Sequence, residues 1–295
     1  MTTTTNTERS FRDKWQRNQD LVFKETLNPE SDIHRWIVTR NGFQTTEDFA
    51  RYLRGRQRIL DAGCGNGRVT ALLRSMTDPA VTEVVGFDNV SGAVARENLG
   101  NAKNLSIHDG DLLADLSFLG KFDFIYCQEV IHHTSDPARA FANLCTLLAP
   151  GGEIAIYVYK KKAPVREFVD DYVREKIAAL PYDQALQTCD QIAELGKALS
   201  ALNVKFRAPR VDVLEIEEGE YDLQRFVYHF FMKCFWNPDL SFKDNSVINY
   251  DWYHPQLCSR HTLPEVRGWF EEAGLEILHA TEDFYGITIR GAAPL

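Results

Sequence analysis

Nine residues, Ile59-Leu60-Asp61-Ala62-Gly63-Cys64-Gly65-Asn66-Gly67, constrain this chain more than any others, because an apolar strand runs straight into a turn with three glycines. Residues without a Cβ let the backbone take left-handed angles and lie close to a ligand, with N–H groups turned toward its polar end. The turn reads as a cradle for a nucleotide-like cofactor, with Gly63, Gly65 and Gly67 as its contacts. A dinucleotide fingerprint, G-x-G-x-x-G, would need glycine at position 68, where the chain has Arg68. The spacing here is G-x-G-x-G instead.

Further markers follow downstream. Val84-Val85-Gly86-Phe87-Asp88 reads as a second buried strand ending in an acid 21 residues past Gly67, where a carboxylate can accept from both hydroxyls of a ribose. Residues 104–107 read as a short third strand leading into His108-Asp109-Gly110-Asp111-Leu112. Phe122-Asp123-Phe124-Ile125-Tyr126-Cys127 reads as a fourth, followed by Gln128-Glu129-Val130-Ile131-His132-His133 and then Asp136-Pro137. Leu148-Ala149-Pro150-Gly151-Gly152 is expected to end a helix and launch a fifth strand over residues 153–158. Near the C-terminus, residues 262–273 read as a helix with Thr262 and Glu265 forming a capping box and Gly274 as its stop. Strands at 275–279 and 284–290 complete the pattern.

Together these motifs, over residues 57–159 with a weaker match in the tail, resemble the class I S-adenosylmethionine-dependent methyltransferases, and among them the ubiquinone and menaquinone biosynthesis type. The resemblance implies an α/β fold with a seven-stranded Rossmann-like sheet whose last strand is antiparallel. It implies S-adenosyl-L-methionine as cofactor and S-adenosyl-L-homocysteine as product. It places Asp61 and the three glycines at the methionine moiety, Asp88 at the ribose, and Asp111 with Leu112 at the adenine, with Gln128 also in the cofactor set. Asn89 falls at the rim of the adenine pocket and departs from the serine or apolar residue often found there. The segment after the fourth strand is expected to face the donor methyl group. His133 is therefore the first candidate for a general base and His132 the second, with Glu129, His229, His254 and His261 as weaker ones. A base matters only if the acceptor is a hydroxyl or an ammonium that must lose a proton.

Two regions look like additions to such a core, so the expected organisation is an N-terminal helical cap (1–54), the cofactor core (55–159), a helical lid (160–261) and a closing segment (262–295). The cap has aromatic and aliphatic residues scattered among charges, which suggests short amphipathic helices. In the lid, apolar residues at helical spacing predict two helices broken at Pro181, and the acidic stretch 212–222 reads as a solvated loop or helix face. Residues 226–236 then place six aromatics in eleven positions. Tyr157, Tyr159, Tyr228, Trp252 and His254 are the expected acceptor contacts. The run Lys160-Lys161-Lys162, with Arg166 beyond it, could grip an acidic group on the acceptor or be a solvated start to the lid. The aromatic segment could instead face a second subunit in a homodimer.

The net charge of −9, with no basic stretch longer than that lysine run, argues against a nucleic-acid partner. Residues 1–8 are polar, which argues against a signal peptide or membrane anchor and predicts a frayed start. A cytoplasmic protein is expected, its six cysteines reduced, with no C-x-x-C pair and no metal site. Three activities remain open: methyl transfer to oxygen or nitrogen of a small metabolite such as a natural product or sugar, with carbon not excluded; methylation of a protein or other macromolecule; and a non-methylating use of the cofactor.

Overall fold

Strands buried on both faces need continuous apolar runs, and the runs in this chain become the central strands of one sheet. A computed structural model describes residues 5–295. It opens with four helices, α1 (Asn6–Arg17), α2 (Phe23–Leu27), α3 (Asp32–Thr39) and α4 (Thr46–Arg54). Strands and helices then alternate through β1 (Arg58–Ala62), α5 (Arg68–Ser75), β2 (Glu83–Asp88), α6 (Gly92–Leu99), β3 (Leu105–Asp109), β4 (Phe122–Gln128), α7 (Pro137–Cys145) and β5 (Leu148–Tyr159). Next come α8 (Pro164–Ile177), α9 (Tyr182–Ala201), β6 (Lys205–Ala208), β7 (Gly219–Asp222), α10 (Leu223–Phe230) and α11 (Phe242–Tyr253). Helix α12 (Leu263–Glu272), β8 (Glu276–Glu282) and β9 (Gly286–Ala292) close the chain.

The chain divides into a sheet unit, residues 15–160 with 259–295, and an insertion unit, residues 161–258 with the first described residues up to Lys14. In the sheet unit the strand order is β3-β2-β1-β4-β5-β9-β8. Strands β1 to β5 pair in parallel, and β9 is antiparallel to both β5 and β8. Chain order therefore reverses between β1 and β4, and open α/β sheets bind ligands beyond the carboxyl ends of strands at such a point. Leu60, Ile125, Ile154, Phe141 and Phe270 lie fully buried in the core on one face, and Ile59, Val84, Phe124 and Phe49 on the other. Seven strands and the reversed last strand match the expectation. The capping box of Thr262 and Glu265 also forms, and Gly274 ends that helix at a φ of 68°. The helix before β5 stops earlier than expected, at Cys145, and Leu148 already pairs with Phe122. Pro150 and Gly151 lie within the strand, where the register with β4 shifts, and do not terminate a helix.

A charged clamp holds the antiparallel addition to the parallel sheet. Glu153 on β5 accepts from Arg56 Nη2 at 2.5 Å, just before β1, and from Arg290 Nη1 at 2.6 Å on β9. Its side chain is only 11% exposed.

In the insertion unit, α8 and α9 are separated at Pro181, as the spacing predicts. The acidic stretch differs from expectation: residues 219–222 form β7 and pair antiparallel with β6. Lys205 faces Asp222 and Arg207 faces Glu220 across this ladder, so opposite charges meet at each of these positions. Phe206, Tyr221, Phe226 and Phe230 pack with Ala208 and Ile216 into a small core beside it. The N-terminal cap is likewise not one piece. Asn6 Nδ2 donates to Ala178 O, Ser10 Oγ meets His254 Nδ1, and Lys14 pairs with Asp251, so this end of α1 belongs with the insertion. The frayed start was expected over residues 1–8; residues 6–8 are helical, and 1–4 lie outside the described residues. Among the described residues no helix is long and apolar enough to cross a membrane.

Removing one partner of a buried ion pair leaves the others uncompensated, at a cost of about 3–5 kcal/mol. Glu153→Leu, which leaves Arg56 and Arg290 facing each other, should lose about that much stability in urea denaturation. A loss below about 1 kcal/mol would show that the clamp holds little.

Candidate functional site

At the carboxyl end of β1 the sheet ladder continues into the turn: Gly63 N and Cys64 N both donate to Phe87 O, at 2.7 and 3.1 Å. Gly63, Gly65 and Gly67 then take φ values of 82°, 57° and 85°, a region that only glycine enters freely. The space left by the missing side chains is used by the protein itself. A Cβ on Gly63 would lie 2.2 Å from Val130, on Gly65 2.8 Å from Trp15, and on Gly67 2.9 Å from Leu99. Glycine is thus needed for packing here as well as for any approach by a ligand. Asn66 is fully buried, and its Nδ2 donates to the carbonyls of Gln19 and Leu21. Residues 15–21 are thereby strapped against the loop.

Asp88 fixes the neighbouring turn. Its Oδ2 accepts from Gly65 N at 3.0 Å, and its Oδ1 accepts from Val90 N and Ser91 N, both at 2.9 Å. A carboxylate offers about four acceptor positions. Three are in use, which leaves one on Oδ2. Asp61, near the end of β1, is buried and accepts from Thr70 Oγ1 at 2.6 Å. Burial pushes its carboxyl up to about 7. Asp111 is exposed, with Oδ1 accepting from Leu113 N, and Leu112 packs into the core behind it. Asn89 is exposed.

The end of β4 carries polar atoms with no partner among the described residues. Gln128 Nε2 donates to Asn41 Oδ1 at 2.8 Å, but its buried Oε1 accepts nothing. Arg40, just past α3, donates from Nη2 to Tyr126 Oη at 2.9 Å, while its buried Nε and Nη1 donate to nothing. Its guanidinium carbon sits 3.9 Å over the Trp36 ring and 4.9 Å over Tyr157. Sequence reasoning missed Arg40 and Thr70, because no motif spacing marks residues donated from a separate helix. Trp15 and Trp36 were read only among the aromatic residues of the amphipathic cap helices. Asn66 lay within the motif but looked like a spacer.

Next along the chain, His132 is fully buried, with its ring centroid 3.8 Å from Tyr159 and 4.3 Å from His133. His133 is partly exposed and meets Tyr159 edge-on at 5.6 Å. Tyr157 and Tyr159 stand 6.3 Å apart at the end of β5. The structure therefore brings together Tyr157, Tyr159, His132 and His133. Glu129 takes a left-handed φ of 64° and lies 3.7 Å from Arg68. His261 is bonded to Glu265 at 2.7 Å, and Lys160 to Glu282 at 2.6 Å, which commits both.

The remaining expected acceptor contacts lie in the insertion unit. His254 is fully buried: Nδ1 meets Ser10 Oγ at 2.6 Å and Tyr250 Oη at 2.9 Å, and Nε2 meets Leu180 O at 2.9 Å. Both nitrogens are used in packing, so His254 is a structural residue and not an acceptor contact. Trp252 is 2% exposed, with Nε1 donating to Asp170. Tyr228 and His229 are buried, Tyr228 beneath the Arg166 guanidinium at 4.5 Å. No group of three or more His, Cys, Asp or Glu side chains is placed to hold a metal among the described residues.

A family profile described as a methyltransferase domain matches residues 34–280, and the chain belongs to that family. An uncharacterized protein of Synechococcus is 32% identical over 231 residues, covering 76% of this chain and 48% of that protein. An uncharacterized methyltransferase of Mycobacterium tuberculosis is 32% identical over 105 residues, 36% of this chain and 52% of the relative. A ubiquinone biosynthesis O-methyltransferase of Aromatoleum aromaticum is 29% identical over 135 residues, 41% of this chain and 56% of the relative. The chain thus spans about half the length of the curated relatives it matches. The family cofactor is S-adenosyl-L-methionine.

The raised Asp61 carboxyl has a consequence for stability. Its folded pKa near 7 lies above the unfolded value of roughly 3.9, so the native state binds this proton more tightly. The contribution is complete below about pH 4 and lost as the pH rises through about 7. In the absence of cofactor, Asp61→Asn, which can still accept from Thr70, should gain on the wild type by a few kcal/mol between pH 4 and pH 8. Denaturant titrations at both pH values measure the difference, and an unchanged gap would contradict a protonated Asp61.

Proposed function

We propose that this protein transfers a methyl group from S-adenosylmethionine to an oxygen or nitrogen of a small-molecule metabolite of the natural-product or sugar type. The observation that carries the reading is the set of orphaned buried atoms beside the switch point, Arg40 Nε and Nη1 and Gln128 Oε1. Unused guanidinium N–H groups can donate to a carboxylate, and an unused amide oxygen can accept from an ammonium. The methionine end of the cofactor carries both. Asp88 keeps one acceptor position for a ribose hydroxyl. Asp61 places a carboxyl near the glycine loop, Asp111 and Leu112 frame the adenine, and Asn89 lies at its rim.

When bound, the cofactor supplies an activated methyl group on a sulfonium. The chain's own part is placement: an acceptor atom held in line, about 3 Å from the methyl carbon, with water excluded. The rings of Tyr157 and Tyr159 suit that task, since their faces attract a cation and their bodies keep water out. His133, the more accessible of the two histidines, accepts the proton of a hydroxyl or ammonium acceptor, and His132 holds its ring in place through the 4.3 Å contact. The relatives named as ubiquinone biosynthesis O-methyltransferases favour an oxygen acceptor. The net charge of −9 disfavours nucleic acid.

Methyl-labelled S-adenosylmethionine incubated with the protein and cell extract should place label in the small-molecule fraction, with S-adenosylhomocysteine as coproduct. Label on macromolecules would replace the acceptor class, and cofactor binding without label in any fraction would count against methyl transfer. As controls, Arg40→Met and Asp88→Ala should each weaken cofactor binding by roughly 10- to 100-fold, about 1.5–3 kcal/mol for a lost charged hydrogen bond. A change below twofold in calorimetric titration would remove the residue from the cofactor set.

A further inference from the structure

The insertion unit gathers buried cationic side chains at a single indole ring. Four cationic side chains, Lys162, Arg166, Arg174 and Lys233, are each at most 7% exposed. All four approach the ring of Trp252, at 5.7, 5.3, 5.7 and 4.9 Å. The one fully buried carboxylate among them is Asp170. Its Oδ1 accepts from Lys233 N at 2.9 Å and Tyr253 Oη at 2.8 Å, and its Oδ2 accepts from Arg166 Nε at 3.1 Å and Trp252 Nε1 at 2.8 Å. Four donors fill the roughly four acceptor positions of a carboxylate. None of them is a lysine ammonium.

Lys233 is therefore the anomaly. Its Nζ has three protons and finds no oxygen acceptor among the described residues, only the indole face of Trp252. Arg174 adds a second unused donor at the same ring: Nη1 pairs with Asp171 and Nη2 with Trp252 O, but its buried Nε has no partner. Burying an ammonium without an acceptor is unfavourable, and the ring face offsets that only in part. Burial and the neighbouring Arg166 push the lysine down to about 8, against the pull of Asp251, Asp170 and Cys258. A bound anion would supply the missing acceptors.

We propose that Lys233, with Arg174 beside it at Trp252, forms a binding site in the insertion unit for a small molecule bearing a carboxylate or phosphate group. The site stands independently of methyl transfer, because its argument uses no residue of the sheet unit. The burial of Lys233, the orphaned Nε of Arg174 and the saturation of Asp170 carry it. A carboxylate and a phosphate share the chemistry required here, oxygen acceptors with negative charge, and the experiment separates them.

The test is calorimetric titration of the full chain at pH 7 with sodium phosphate and, separately, sodium acetate, against sodium chloride at equal ionic strength. Saturable binding of at least one anion above the chloride baseline is expected. Lys233→Met should weaken it at least tenfold and leave S-adenosylmethionine binding unchanged, while Lys233→Arg should keep it within about threefold. With acetate, which stays ionised, wild-type affinity should fall as the pH rises from 7 to 9.5 and the ammonium is lost. No saturable binding of either anion, or equal affinity in Lys233→Met, overturns the proposal. If that variant does not fold, the wild-type profile decides, and a flat profile overturns it. Preference for phosphate or for acetate identifies which acid group the site takes.

Discussion

The carboxylate of Asp88 holds together the two turns that follow β1 and β2. Strands β1 and β2 pair in register up to Ala62 and Phe87, and two further N–H groups reach Phe87 O after β1 has ended. Beyond that point there is no ladder. Asp88 takes over, drawing Gly65 N from one turn and Val90 N and Ser91 N from the other onto a single side chain. Without it, left-handed glycines in the first turn would have no counterpart to fix their direction. The strap of residues 15–21, the approach of Val130 and the fully buried position of Ser91 all presuppose those turns.

The insertion unit is organised by the same device in a drier place. Asp170 gathers a guanidinium, an indole N–H, a phenol and a backbone N–H from α8, α11 and the segment after α10. Because these donors come from elements far apart in sequence, this one carboxylate sets the positions of Trp252, Tyr253 and Lys233 together. A fully satisfied buried network rigidifies what it joins.

Much of the sheet unit was legible beforehand because its signals are local. Apolar runs of five to seven residues, glycines at fixed spacing and a Thr-x-x-Glu box each state their conformation within a few positions. What was not legible depends on distant partners. Nothing near Asn6 or Ser10 announces Ala178 or His254, more than 170 residues away, so the N-terminal stretch looked like a single cap. Strand β6 has only four residues and was too short to show its period. Aromatic and histidine residues were the least readable. Trp252 and His254 carry the chemistry of a pocket wall, yet their polar atoms are engaged in internal bonds, and only the bond partners distinguish the two cases. Arg40 was missed for the converse reason, since a lone arginine after an amphipathic helix looks like surface.

The cysteines carry a practical consequence. Burial raises the thiols of Cys64, Cys127, Cys145, Cys189 and Cys234, with Cys145 pushed up to about 12 and Cys234 to about 11. Only the thiolate attacks alkylating or oxidising reagents. These five sulfurs are thus silent in the native state and become reactive as each leaves its packing. Because Cys64 and Cys127 belong to the sheet unit and Cys189 and Cys234 to the insertion, their relative rates of alkylation would record which half of the molecule opens first.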